Sequence, residues 1–360
     1  MGGADGKQPL KMLEALAQMQ QTHFPRLSGR FPSQRSHPFF YLREDDSAYF
    51  TATLLHSLFR LKPFLNAEES HLLEQIRLTA CQGVAPFQNK QGLPRYNFWQ
   101  TNPGRHFPNG LFFGKYDRYR PPDDVDDSVM VYMMQNRDQQ EARWLMEHID
   151  AYANGSRKWV LNCDLHYKDL RAYCTFFCKD MPLGFDACVI SNVLYFNMLY
   201  GFETNFKQQD SIQYLLTMLE RRDHLLMPES VSPYYPHASI ILYHLAKLMS
   251  QFSIPELDRK RARVVQDIRN ILAENLFPAE RTMLESAWMW MTGEVPRENG
   301  GKARKGRFYF FVLPLTLELE GSLAQWLARQ RWTHIRFHSE ALEWAFQIEN
   351  EVLRRSILRG

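Results

Sequence analysis

Nine residues hold the densest chemistry in the chain: Pro121-Pro122-Asp123-Asp124-Val125-Asp126-Asp127-Ser128-Val129. Four carboxylates in five positions repel one another, so they persist where water, a metal, a base or a shared proton relieves the charge. If the run is dry, one acid is expected to keep its proton near neutral pH, as coupled carboxylates do; if wet, it is a solvated helix start. Cys163-x-x-His166 with Cys174-x-x-x-Cys178 has the residue types of a structural zinc site without a common spacing, and buried helix thiols explain it equally. Gly300 to Arg307 sets four basic residues beside Phe308-Tyr309-Phe310-Phe311, a combination that suits a diphosphate, a membrane surface or a solvated basic loop.

Six segments share one layout, in which an ionisable residue and a few small residues precede a long apolar run. They start at Asp46, Asp127, Asp186, His237, Glu285 and, more weakly, His338. The later starts recur about every 50 residues, which fits one helical hairpin per repeat. The runs that follow, such as Ser239 to Met249, are apolar nearly all round, as helices buried on both sides must be. Between them lie amphipathic stretches, Ala67 to Gln82, Asp138 to Ala153, Gln209 to Arg222 and Pro255 to Glu274, with the charge pattern of outer helices. The expected fold is all-α: an α/α toroid of six hairpins over residues 35–360, preceded by a helical arm within 1–34. Hairpins of fixed direction would set the six ionisable residues around one mouth, although Asp and Ser at those places also serve as plain helix caps.

The longest connection, residues 83–126, is expected to roof that mouth. Its aromatic residues Tyr96, Trp99, Phe112, Phe113, Tyr116 and Tyr119 would line the cavity, with Arg118 to hold an anionic group or pair with the acids. Asp46 and Glu285 are further candidates for substrate contact at the rim. Aromatic residues make up 14% of the chain, enough for either a large core or a cation-stabilising cavity. A net charge of +3 is too small for a nucleic-acid footprint. Five cysteines and a first six residues without a basic-then-apolar layout fit reduced thiols in a cytoplasmic protein. No apolar run reaches the roughly 18 residues of a spanning helix, which leaves peripheral membrane contact open.

Asp124-Val125-Asp126-Asp127-Ser128 resembles the DxDD signature of class II terpenoid cyclases, in which the acids open an inner helix of an α/α toroid. The resemblance implies that Asp126 is the Brønsted acid protonating an alkene or epoxide of an isoprenoid, with Asp124 and Asp127 holding its geometry and proton. Asp123-Asp124-x-x-Asp127 is also similar to the magnesium motif of class I terpene synthases, so magnesium is a possible ion. A second resemblance, to the β subunit of protein prenyltransferases, rests on Asp186-x-Cys188 and on His237, 49 residues after the cysteine. It implies a zinc ion on Asp186, Cys188 and His237 that turns a substrate thiol into a thiolate, and a partner subunit. A small buried residue at 188 explains the same spacing without metal. Two further readings stay open: a carbohydrate-active toroid using Trp99 and Tyr96 as stacking platforms with Asp126 or Asp186, and a binding scaffold without catalysis.

Overall fold

The computed structural model describes residues 8–39, 41–101, 122–177, 183–297, 301–314, 323, 326–327 and 329–359. Phe112, Phe113, Tyr116, Tyr119 and Arg118 lie outside the described residues. The chain is mostly helical. Its helices are α1 (Gln8–Thr22), α2 (Phe24–Leu27), α3 (Ala48–Phe59), α4 (Ala67–Gln82), α5 (Val125–Gln135), α6 (Gln139–Tyr152), α7 (Ala187–Leu199), α8 (Phe206–Arg221), α9 (Asp223–Leu226), α10 (Pro228–Val231), α11 (Ala238–Gln251), α12 (Pro255–Asp258), α13 (Arg261–Leu272), α14 (Pro278–Thr292) and α15 (Glu340–Arg359). Among the described residues, no helix is long and apolar enough to cross a membrane.

Six of these helices pack in a closed circuit: α3 on α5, α5 on α7, α7 on α11, α11 on α14, α14 on α15, and α15 back on α3. All but a few residues of α3, α5, α7 and α11 are buried, which is why these helices carry so little polar surface. The amphipathic helices flank them: α4 against α3 and α5, α6 against α5, α8 against α7, and α13 against α11 and α14. The arm helix α1 packs on α4 and α15. Contacts across the circuit show that α3 and α11 run the same way. Residues near their starts meet one another, as Tyr49 meets Tyr235, and residues near their ends meet others, as Arg60 meets Ser250.

Helix starts are fixed by caps of the expected chemistry. Ser47 caps α3, Asn66 and Glu69 form a reciprocal box on α4, and Asp124 and Asp186 cap α5 and α7. The structure corrects one start. α14 begins at Pro278, so Glu285 is its eighth residue rather than its first-turn acid; Glu280, which reaches back to the Phe277 amide, holds the position assigned to Glu285.

The fold is not all-α. A four-stranded antiparallel sheet, β1 (Ser33–His37), β2 (Tyr41–Asp45), β3 (Phe311–Pro314) and β4 (His334–His338), has the order β2-β1-β4-β3. Gln34 pairs with His338 and Phe311 with Phe337, so the sheet joins the two ends of the chain. β1 runs across residue 34, where the arm was expected to end. Its buried positions are Ser33, Arg35 and His37, polar residues facing inward. An apolar alternation, the usual mark of a half-buried strand, is therefore missing from its sequence.

Candidate functional site

Asp126 lies on the inside of the circuit. It is the second residue of α5 and 3% exposed. Its Oδ1 accepts a hydrogen bond from Asn192 Nδ2 on α7 at 2.8 Å, and its Oδ2 accepts one from the Tyr235 phenol, just ahead of α11. Burial pushes its carboxyl above the usual carboxylate range, against the pull of these two donors and of the Lys247 charge. The Tyr235 ring is in turn surrounded by aromatic groups, with centroids of Tyr49 at 6.1 Å, Phe310 at 5.8 Å, Phe311 at 5.5 Å and His244 at 5.5 Å. Phe311 also stacks on Tyr234 and Phe98. The aromatic wall of the acid thus comes from β3 and its preceding residue, part of the segment read from sequence as a diphosphate or membrane seat.

The neighbouring acids have separate jobs. Asp124 Oδ1 caps α5 by accepting from the amides of Asp126 (2.7 Å) and Asp127 (3.1 Å). Asp127 is 1% exposed, and its Oδ1 has no hydrogen-bond partner among the described residues. Burial and the repulsion among the three carboxylates hold both Asp124 and Asp127 well above the usual range. Asp123 is tied off by Arg95 at 3.0 Å and Asn89 at 2.6 Å.

The proposed zinc ligands do not converge. Asp186 is spent on structure: Oδ1 accepts from the Cys188 amide (2.8 Å), the Val189 amide (3.3 Å) and Ser232 Oγ (2.6 Å), and Oδ2 accepts from the Tyr234 amide (3.0 Å). The Cys188 thiol faces Ser232 Oγ at 3.4 Å, and burial pushes it well above its ordinary value. His237 lines a cavity of about 420 Å³ with Arg304, Arg331 and Glu280. Among the described residues, no group of three or more His, Cys, Asp or Glu could hold a metal ion, whether at Asp186, Cys188 and His237 or at Asp123, Asp124 and Asp127.

Other expected contacts are also engaged elsewhere. Asp46 is clamped by Arg30 through Nε (2.9 Å) and Nη2 (2.7 Å), with Gln100 at 2.6 Å. Glu285 pairs with Arg354 at 2.7 Å where α14 meets α15. The Tyr96 phenol lies by Arg137 and Gln135, at the far end of α5, and the Trp99 indole donates to Asp45 at 3.1 Å. Both rings are 2% exposed, so neither offers a free stacking face.

No protein-family model matches the chain, and neither a curated protein nor a solved structure matches it. The residues inside the circuit must speak for themselves.

Deeper inside, the circuit closes over a second polar layer. Glu349 of α15 accepts from the Tyr243 phenol (2.6 Å) and the Trp290 indole (2.7 Å) and lies 3.8 Å from Arg60. Between this layer and Asp126 sit His56, His244 and Lys247. None of these, nor Tyr235 and Asn192, was picked out from sequence. Lys247 could have been: it is the one charged side chain in the run from Ser239 to Met249. Burial and the Lys247 charge lower His244 to about 3, and burial with the nearby cations pushes His56 well down, so both are neutral in the folded protein. A folded value below the unfolded one means that stability present above pH 6.5 is lost as pH falls toward the folded value. The difference in unfolding free energy between wild type and His244→Phe should therefore shrink below pH 6.5, at up to about 1.4 kcal/mol per pH unit. Urea titrations of both proteins at several pH values measure this, and a pH-independent difference would show that His244 is not held neutral.

Proposed function

We propose that the protein is an isoprenoid-processing enzyme built on an α/α toroid, in which Asp126 protonates a carbon–carbon double bond or epoxide and so starts a cyclisation of the class II terpenoid cyclase type. The observation that carries this reading is the buried Asp126 carboxyl, its oxygens held by Asn192 and Tyr235 and its surroundings aromatic. A carboxylic acid strong enough to protonate an alkene works best without competing water, and it needs its proton at working pH. Burial keeps water from Asp126 and shifts its carboxyl toward the protonated form. The two donors fix the carboxyl plane, and burial with the neighbouring carboxyls disfavours ionisation of Asp127.

Once a carbocation forms, it needs electron-rich faces rather than carboxylates, which would trap it. Tyr49, Phe310 and Phe311 set aromatic rings around Tyr235, the phenol that holds the acid. The substrate class such surroundings suit is an apolar polyene or its epoxide. The carbohydrate reading depended on Trp99 and Tyr96 as platforms, and both rings are buried.

Thermal-shift measurements separate the two classes. Squalene epoxide, geranylgeranyl diphosphate and a set of oligosaccharides should be compared on the same protein. Stabilisation by an isoprenoid is expected; stabilisation by oligosaccharides alone would replace this reading with the carbohydrate one.

A further inference from the structure

Among the described residues, the buried polar atoms of α3 and α11 without a hydrogen-bond partner include Lys247 Nζ, His56 Nε2 and His244 Nε2. Their residues are 2%, 5% and 2% exposed. They belong to α3 and α11, which are not neighbours in the circuit yet reach each other across it. Arg60 Nη2 of α3 donates to Ser250 Oγ of α11 at 3.0 Å, and the Tyr243 phenol of α11 lies 3.4 Å from Ser57 Oγ of α3. The three unsatisfied atoms therefore lie on helices that meet each other across the ring. Each such atom left alone costs about 1–3 kcal/mol, and more where it is charged.

The atoms differ in character. His244 Nδ1 is 2.9 Å from the Ile240 carbonyl, which fixes the proton on Nδ1 and leaves a lone pair on Nε2. Lys247 lies three residues further along the same helix, with Nζ 5.3 Å from the centre of the Tyr243 ring. Its ammonium has no carboxylate within ion-pair distance among the described residues. The charged and titratable groups around it are Arg60 and His56 from α3, Asp126 from α5, Cys188 from α7, His244 from its own helix and Glu349 from α15. Glu349 is already occupied by Tyr243 and Trp290.

We propose that Lys247 is a carbonyl-reactive amine, which forms an imine with an aldehyde or ketone that enters the ring. Burial and Arg60 lower the amine to about 8, so a useful fraction is neutral at physiological pH. In the first step the Nζ lone pair forms a bond to the carbonyl carbon, and one N–H proton passes to the carbonyl oxygen, giving a carbinolamine. In the second, the hydroxyl leaves as water with a proton from Asp126, giving a protonated imine and the Asp126 carboxylate. The sum is amine, carbonyl and carboxylic acid giving iminium, carboxylate and water, with no oxidant or reductant. The Tyr243 face stabilises the iminium. Imine formation needs no alkene protonation and is read at Lys247 without any cyclised product, so its failure leaves the cyclisation reading standing.

Reductive trapping tests it. The protein is incubated at neutral pH with 3,7-dimethyloctanal, a saturated ten-carbon aldehyde, and sodium cyanoborohydride, and the adduct is mapped by peptide mass spectrometry. Lys247 should gain the mass of the aldehyde less water plus two hydrogens at least about tenfold faster than the exposed Lys302 and Lys305, because far more of its amine is neutral. Lys247→Arg, checked for native circular dichroism, should lose this adduct and keep the slow surface ones. Labelling of Lys302 and Lys305 with Lys247 unmodified, or modified no faster, in the folded wild type would overturn the proposal.

Discussion

Asp126→Asn is expected to cut turnover of an isoprenoid substrate by about 10³-fold or more while leaving the fold intact. Positioned general acids contribute roughly 10²–10⁴ in rate, and alkene protonation lies at the demanding end because carbon is a poor base. The amide keeps an acceptor for Tyr235 or Asn192, so the packing around α5 survives and the melting temperature should shift little. Tyr235→Phe should have a smaller effect, about tenfold, since it removes one of the two groups that orient the carboxyl. Rates and circular dichroism melts of the same preparations check both, and full activity of a folded Asp126→Asn protein would remove Asp126 from the mechanism.

The largest stability effect is expected at Glu349. Glu349→Ala removes the acceptor for the Tyr243 phenol and the Trp290 indole and leaves the nearby Arg60 guanidinium buried without a counter-charge. Removing one partner of a buried pair costs about 3–5 kcal/mol, mostly through the charge left behind. Glu349→Gln keeps an acceptor oxygen and should cost less. Urea unfolding of the two variants measures the difference; equal and small losses would mean that Arg60 is compensated by Lys247 O, Ser250 and the Trp290 face alone.

The helix circuit was legible because its repeats obey local rules. Asp124 and Asp186 are caps whose side chains must accept the first free amides, and the runs after them are apolar all round because both sides are covered. The same rules misplaced Glu285, since Glu-Ser-Ala before an apolar run looks like a helix start, whereas Pro278 opens α14 seven residues earlier. The sheet stayed hidden because its strands are four or five residues long and β1 buries polar side chains. The partners of Asp126 were out of reach for a different reason. Asn192 and Tyr235 stand 66 and 109 residues away, and only closure of the circuit brings them to the acid. His237 shows the limit of spacing: it follows Cys188 at the expected interval, yet it lines the cavity beside Arg304 and Arg331. By contrast Lys247 stood in plain view, a lone charge on a helix otherwise built for the core.

The measurement that reaches the central claim most directly is cyclisation in heavy water. Squalene epoxide and geranylgeranyl diphosphate are incubated with the protein in D₂O with a metal chelator present, and products are analysed by gas chromatography and mass spectrometry. For the diphosphate, the account predicts a cyclised product that keeps its diphosphate and carries one deuterium at the carbon Asp126 protonates, with no need of added metal. For the epoxide, it predicts a cyclic alcohol formed only by protein with Asp126 intact. Cyclised products without acid-derived deuterium from the diphosphate, products that require a divalent metal, or equal product from Asp126→Asn would contradict it.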